Sequence, residues 1–585
     1  MKCTVMSKMT DKYSKIVGLF IVVCLMVSSL VAASVEPSSQ LTFNVSLSSE
    51  AMNTISDLGL ETPINGRVFV ILTKDSSDDP VYQVDVTGVP FWGKDVFDFE
   101  PESLATFNDE TDGIIGYPLD SFSELPEGTY YAQAFLNVYA TFEKADGNTL
   151  LMHKDTGDGQ WFWESVGNAM STVKEITVGE NGSSEVDLQI SEVIMPDYEL
   201  EEGMVLHQGN YEDTDYVKYV KIKSDLISEF WGSDMYIGAN VLLPEGYYDN
   251  PDTDYPVLYF QGHFPGSRAP IGFAEDEKND VYKFWTSADT SKMIVVSFRD
   301  ANPYYDTSYS VNTANIGPYG DAIMTELIPY LEENFNMKKE SWAKLLAGGS
   351  TGGWEAMAMK VWYPEDFGMS YVWYPDSLDF NYHQLVNIYE DANAYFFGGD
   401  WVSTERPSCR STHGEIYFTV YQENQYELAC GPNGKSGGQW DVWDAVFGPV
   451  GEDGYIKSVW DKKTGEIDKE VAEYWKENYD INYKLQQNWE TLGPKLNGEI
   501  HIAVGDMDNY YLNEAVYLVK DFLDSVENPV STITFDFGPN QGHGWKGWSP
   551  NNPDQRLSYA EFAEQVSDYL KNLSVETTGT KDWIY

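Results

Sequence analysis

Two textures of apolar and polar positions divide the chain. From about residue 36 to 195 the apolar residues come in short alternating or β-branched runs: "LTFNVSL", "GRVFVILTK", "VYQVDVT", "TYYAQAFLNVYATF", "KEITV" and "SEVDLQI". Turn-rich pieces such as "KDSSDDP", "ADGNT" and "GENGSS" separate them. Period-two runs punctuated by Gly, Asp, Asn and Ser predict an antiparallel, sandwich-like all-β region over 36–195.

A linker, "MPDYELEEG", leads into the second texture. From about Tyr216, continuous apolar runs of strand length ("MYIGANVLLP", "YPVLYFQG", "KMIVVSFRD", "AKLLAGG", "EIHIAVGD") alternate with runs of helical period. The latter are "YGDAIMTELIPYLEENF", "GWEAMAMKVWYP", "YLNEAVYLVKDFLDSV" and "SYAEFAEQVSDYLKNL". Strands without polar alternation are buried on both faces, so the pattern predicts an α/β domain over about 200–575 built on a mainly parallel sheet. Residues 378–496 interrupt the rhythm with Trp401, Trp440, Trp443, Trp460, Trp475 and Trp489. This stretch reads as an insertion between core strands, either a cap over a pocket or an added packing layer.

The remaining composition narrows the class. Lys2, Lys8, Lys12 and Lys15 precede the apolar run Ile16 to Met26 and small residues near Ala32-Ala33-Ser34. That is the layout of a secretory leader over residues 1–33, and it points to a secreted, periplasmic or extracellular protein with no stable membrane association once the leader is cleaved. An uncleaved anchor is the competing reading, since the run nearly spans a bilayer if Val27 to Ala33 is counted. The formal charge is −56. Losing a leader with four Lys and one Asp would make it more negative still, and such a surface repels nucleic acid and anionic membranes. Beyond the leader only Cys409 and Cys430 remain, and in an exported protein the expectation is one disulfide between them. No C-x-x-C or paired His accompanies them, so no metal is expected there, and the acidic loop "FNDETDGIIG" does not fit an EF-hand. The sequons at Asn44, Asn181 and Asn572 matter only in a host that glycosylates.

The chemistry concentrates in "AGGSTGGWEAM", residues 347–357. Gly348-Gly349-Ser350-Thr351-Gly352 fits G-x-S-x-G, which alone is weak. Its flanks strengthen it. A strand precedes and a helix follows, the layout of a nucleophile elbow. A serine hydroxyl needs a base. Of seven His, His543 lies in the glycine-flexed loop "GPNQGHGWKGW", after the strand-like "STITFDFG" and before the last helix. An acid must orient that base, and "IHIAVGDMDNYYL" offers Asp506 and Asp508 just past a strand. Asp508 is preferred, because the first positions after the strand form the turn, with Asp506 as the alternative acid or a turn support. The oxyanion hole should use the backbone N–H of Thr351 and a second N–H after an earlier strand, from His263 or else Phe264 in "QGHFPG". The imidazole of His263 is also a rival base.

With these pieces together, the C-terminal two-thirds resembles the "Putative esterase" family of α/β-hydrolases, which includes feruloyl and acetyl esterases and S-formylglutathione hydrolase-like enzymes. The matching stretches are "YPVLYFQGHFPG", "GPYGDAIMTELIPYLEENF", "LLAGGSTGGWEAMAMKVWYPEDFG", "VGDMDNYYL" and "GHGWKGW", covering about 216–575 without much of 378–496. The resemblance implies Ser350 as nucleophile, His543 as base and Asp508 as acid, with no cofactor. It implies a small-molecule or polysaccharide-linked ester as substrate. The long insertion departs from compact members, and the resemblance does not extend to the β-rich region. Two other readings remain open. One is a prolyl-oligopeptidase-like peptidase, although blade repeats are absent. The other is a non-catalytic glycan- or surface-binding protein, which a structure with Ser350, Asp508 and His543 far apart would favour.

Overall fold

The computed structural model describes residues 41–577 and 583, apart from 154–161, 180–181, 183, 197–211, 263–268, 288–291, 306 and 400. The expected leader, most of the linker, Asn181, His263 and Phe264 lie outside the described residues.

The β-rich unit is a single ten-stranded hydrogen-bonded network rather than two separate sheets. Its spine pairs Ile64–Thr73 antiparallel with Gly128–Glu143, in register from Asn65 opposite Tyr139 to Thr73 opposite Tyr131. The 16-residue strand outlasts its partner, and three shorter strands share its other edge. The expected purely antiparallel order fails at one place. Thr42–Leu47, the first strand, runs parallel to Glu185–Val193, the last. The helix Ser49–Asp57 follows that first strand directly, so no hairpin forms there, and parallel partners have to be distant in sequence. "VYQVDVT" also departs from expectation, forming the 3₁₀ turn Pro80–Gln83 and then bends. Side chains there take the backbone groups a ladder would use: Gln133 accepts from the Val81 N–H at 3.1 Å, and the Gln83 amide donates to the Asp75 and Asp78 carbonyls.

Both faces of the spine are covered, which explains the unbroken run "VFVIL". Val68, Val70 and Leu72, with Ala134 and Leu136, face the unit's own core. Phe69, Ile71 and Phe135 face a second cluster that includes Phe162, Trp163, Tyr305, Ala429 and Cys430. The second face therefore rests on residues from the C-terminal half.

The C-terminal sheet has eight strands, numbered here β1 (Val217–Lys223), β2 (Tyr236–Leu242), β3 (Val257–Gln261), β4 (Ile294–Arg299), β5 (Lys344–Ser350), β6 (Ser370–Pro375), β7 (Ile500–Gly505) and β8 (Thr534–Gly538). Their spatial order is 1-2-4-3-5-6-7-8. The sheet is mixed: β1 with β2 and β2 with β4 are antiparallel, and the five other pairings are parallel. Parallel neighbours need crossovers, and helices lie in two of them: α1 (Thr351–Trp362) between β5 and β6, and α4 (Asn513–Ser525) between β7 and β8, while α5 (Tyr559–Thr577) follows the last strand. In such sheets ligands collect outside the carboxyl ends of the strands.

Between β6 and β7 the chain leaves the sheet and builds, among other elements, α2 (Val420–Cys430) and α3 (Gln439–Phe447). Trp440, Trp443, Trp460, Trp475 and Trp489 of this segment are buried, whereas Trp401 is 96% exposed in the loop between two short paired strands. The expected disulfide does not form: Cys409 and Cys430 are both free and buried. Cys409 lies opposite Phe418 in a strand pair that leads into α2, while Cys430 is the last residue of that helix. Eleven helical residues span about 16 Å, well beyond the roughly 7 Å that a disulfide can bridge between Cα atoms.

Candidate active site

Ser350 ends β5 and precedes α1 with φ 58° and ψ −125°. A side-chain-bearing residue there is strained, and the strain lifts its hydroxyl out of the sheet edge. The neighbouring glycines are needed because backbone closes in around the turn. A Cβ on Gly352 would lie 2.3 Å from the Gln261 carbonyl oxygen, and one on Gly348 would lie 2.1 Å from that of Gly352.

Residues from three loop regions converge on Ser350. His543, in the loop after β8, places Nε2 3.1 Å from Ser350 Oγ. Its Nδ1 lies 2.8 Å from Asp508 Oδ2, in the loop after β7. Asp508 is fully buried, and its other oxygen accepts the N–H groups of Tyr510 (2.9 Å) and Leu512 (3.3 Å). These fixed donors keep the carboxylate pointed at the imidazole. The His543 N–H donates to Asn509 Oδ1 at 2.8 Å, tying the two loops together. Tyr374 and Tyr510 meet the His543 ring edge-on at centroid distances of 4.7 and 5.1 Å. Burial by itself would lower the His543 pKa. The charge and hydrogen bond of Asp508, with a further contribution from the charge of Asp376, outweigh that and leave it raised.

Asp506 is turned elsewhere. Its carboxylate accepts the Asn540 N–H at 2.6 Å and braces the turn after β8. Thr351 begins α1, so its N–H belongs to the first turn, where the helix dipole favours negative charge. Gly262, just past β3, lines the same hollow, but the neighbouring His263 and Phe264 lie outside the described residues.

One site residue has no counterpart in the sequence reading. Asp376, one residue past β6, is buried and reaches Ser350 Oγ at 3.4 Å through Oδ1. Its Oδ2 accepts from the Tyr309 hydroxyl (2.7 Å), the Thr351 hydroxyl (3.1 Å) and Trp443 Nε1 (3.2 Å). A second carboxylate therefore flanks the serine. No spacing motif in "YVWYPDSLDF" signals it, because its partners come from remote segments.

The hollow in front of Ser350 has a volume of about 780 Å³, within the usual range for small-molecule sites of about 300–1,000 Å³. Ser350, His543 and Asp376 line it together with Glu423 from α2 and Trp443 from α3. The segment between β6 and β7 is thus both a packing layer and a wall of this hollow.

Residues 232–427 match the family model described as "Putative esterase". This stretch is similar to the esterase family. The matched stretch runs from just before β2 into α2, so it takes in Ser350 and Asp376 and stops short of Asp508 and His543. An endo-1,4-beta-xylanase/feruloyl esterase of Xylanibacter ruminicola is 29% identical over 135 residues, which make up 22% of this chain and 18% of that protein. The match therefore spans less than a fifth of that relative's length. Among solved structures, a ferulic acid esterase aligns at 13% identity and TM-score 0.33, covering 61% of this chain and 98% of that one. An S-formylglutathione hydrolase from Agrobacterium tumefaciens aligns at 11% identity and TM-score 0.31, covering 61% and 95%. Asp508 and His543 are tied to Ser350 by the distances above, not by these likenesses.

Proposed function

We propose that the protein is a serine esterase that cleaves carboxylic esters through Ser350, His543 and Asp508. The observation that carries this reading is the unbroken chain of contacts from Ser350 Oγ to His543 Nε2 (3.1 Å) and from His543 Nδ1 to Asp508 (2.8 Å), at the edge of a hollow large enough for a substrate. Ser350 Oγ attacks the ester carbonyl carbon while His543 Nε2 takes its proton. Negative charge then develops on the carbonyl oxygen, where the Thr351 N–H and an N–H of the His263–Phe264 loop would stabilise it. The imidazolium, held by Asp508, passes the proton to the departing alcohol and leaves an acyl group on Ser350. Water, deprotonated by His543, attacks that acyl group; the proton returns to Ser350 and the acid departs.

The wider proposal comprises a cleaved leader over 1–33, a β-rich unit over 36–195 and a catalytic unit over 200–575. Its substrates are small-molecule or polysaccharide-linked esters met outside the cell. Among the described residues no helix is long and apolar enough to cross a membrane. Purified wild type and Ser350→Ala, assayed on acetyl, feruloyl, longer acyl and peptide substrates, test the reading. Ser350→Ala should lose turnover and labelling by a fluorophosphonate probe. Continued labelling of that variant would remove Ser350 from its role.

A further inference from the structure

The hollow in front of Ser350 is not walled by the C-terminal half alone. Val84, Asp85 and Val86, and the aromatic pair Phe162 and Trp163, also line it, and all five belong to the β-rich unit. The loop carrying Val84 to Val86 is the stretch that turns away from the sheet after Pro80–Gln83. The Tyr117 hydroxyl holds it by donating to the Val86 carbonyl at 2.5 Å. Burial raises the pKa of Tyr510, the ring that meets His543, and the charge of Asp85 is among the smaller contributions in the same direction.

The unit carrying this wall is fixed in place. Arg67, 1% exposed, sends Nε and one terminal nitrogen to the Ala429 carbonyl at the end of α2 (3.1 and 3.0 Å) and pairs with Asp95 at 2.6 Å. Lys435 reaches the same Asp95 at 3.1 Å. Asn137 donates to the Tyr305 hydroxyl at 2.8 Å. Tyr426 of α2 meets Phe91 and Tyr117 edge-on, both at 5.7 Å between centroids. Buried charge-assisted bonds and aromatic contacts of this kind tie the two units together.

We infer that the β-rich unit is a specificity element of the active site: Val84, Val86, Phe162 and Trp163 form an apolar wall that receives the part of the ester remote from its carbonyl. The inference rests on the proposed role of Ser350. It assigns the unit to selection among esters of different bulk, not to a separate binding task.

Val86 is the least buried apolar residue of this wall and its side chain can be changed without removing the carbonyl that Tyr117 holds. The experiment compares kcat/KM for p-nitrophenyl decanoate and p-nitrophenyl acetate in wild type, Val86→Trp and Val86→Ala, with thermal melts of each. A larger side chain should lower the decanoate-to-acetate ratio by about tenfold or more, the scale of pocket discrimination against apolar groups. The smaller one should raise it, because it lengthens the space left for the acyl chain. If both variants melt like wild type and both keep its ratio, the wall plays no part in selection. If Val86→Trp does not fold, Val86→Ala and Val84→Ala decide, since unchanged ratios in both overturn the inference. Wild type that cleaves neither ester would instead refute the esterase reading, and the specificity role with it.

Discussion

Replacing Asp508 by Asn tests the core of the proposed chemistry. The carboxylate lies 2.8 Å from His543 Nδ1 and has no solvent exposure. At that separation a unit charge pair attracts by about 6 kcal/mol at an effective dielectric of about 20, part of which is offset by removing both groups from water. The amide keeps the shape but loses the charge, and it can hold the imidazole in the wrong tautomer. Losing roughly 4 to 5.5 kcal/mol of transition-state stabilisation lowers kcat by about 10³ to 10⁴. The pH profile should move as well. His543 works as a neutral base, so activity rises with pH through its pKa. Asp508 raises that pKa against the lowering effect of burial, so removing the charge should shift the acid limb of kcat/KM to lower pH while the plateau falls. The assay is p-nitrophenyl acetate hydrolysis from pH 5 to 9, with Asp506→Asn alongside. Asp506 contacts Asn540 rather than His543, so its variant should lose less than about tenfold. The reasoning is refuted if Asp508→Asn retains more than a tenth of wild-type kcat, or if its acid limb stays where it was.

Two further outcomes are expected. Ser350 sits at positive φ, so Ser350→Gly should be more stable than Ser350→Ala by about 1 kcal/mol although both are inactive, as read by urea unfolding; equal stabilities would mean that the turn holds no strain. Asp480 is buried, and burial, with the nearby charge of Asp379, pushes its pKa up to about 7. The folded state then holds this proton more tightly than the unfolded state, so the contribution to stability is full below about pH 4 and is lost as pH rises to about 7. Asp480→Asn should reduce the stability difference between pH 4.5 and 7.5 by a few kcal/mol, checked by urea unfolding at both values; an unchanged difference would contradict it.

That Ser350, His543 and Asp508 lie together was legible because each sits at local punctuation. Ser350 needs glycines around a strand-to-helix turn, and His543 needs a flexible loop after the last strand; both leave marks in a single sequence. Choosing Asp508 over Asp506 needed only the rule that the first residues past a strand make the turn. Asp376 left no such mark, because what defines it is convergence of Tyr309, Thr351 and Trp443 from segments far apart in the chain. "VYQVDVT" misled for a related reason: it has strand composition, but Gln133, 52 residues from the Val81 it holds, and the Gln83 side chain keep it in turns. The parallel pairing of Thr42–Leu47 with Glu185–Val193 is likewise tertiary information that alternation cannot carry. The cysteine pair was misread because spacing in sequence does not reveal that a helix lies between the two thiols.

Those thiols set how the molecule relates to its surroundings. Burial pushes the Cys409 pKa up to about 12 and that of Cys430 upward as well, which leaves both almost entirely as unreactive thiols at neutral pH. Among the described residues no covalent cross-link joins one part of the fold to another. The described fold therefore draws nothing from an oxidising medium and needs no thiol-exchange catalyst to reach its native pairing. A change between a reducing and an oxidising poise should therefore leave the described fold as it is.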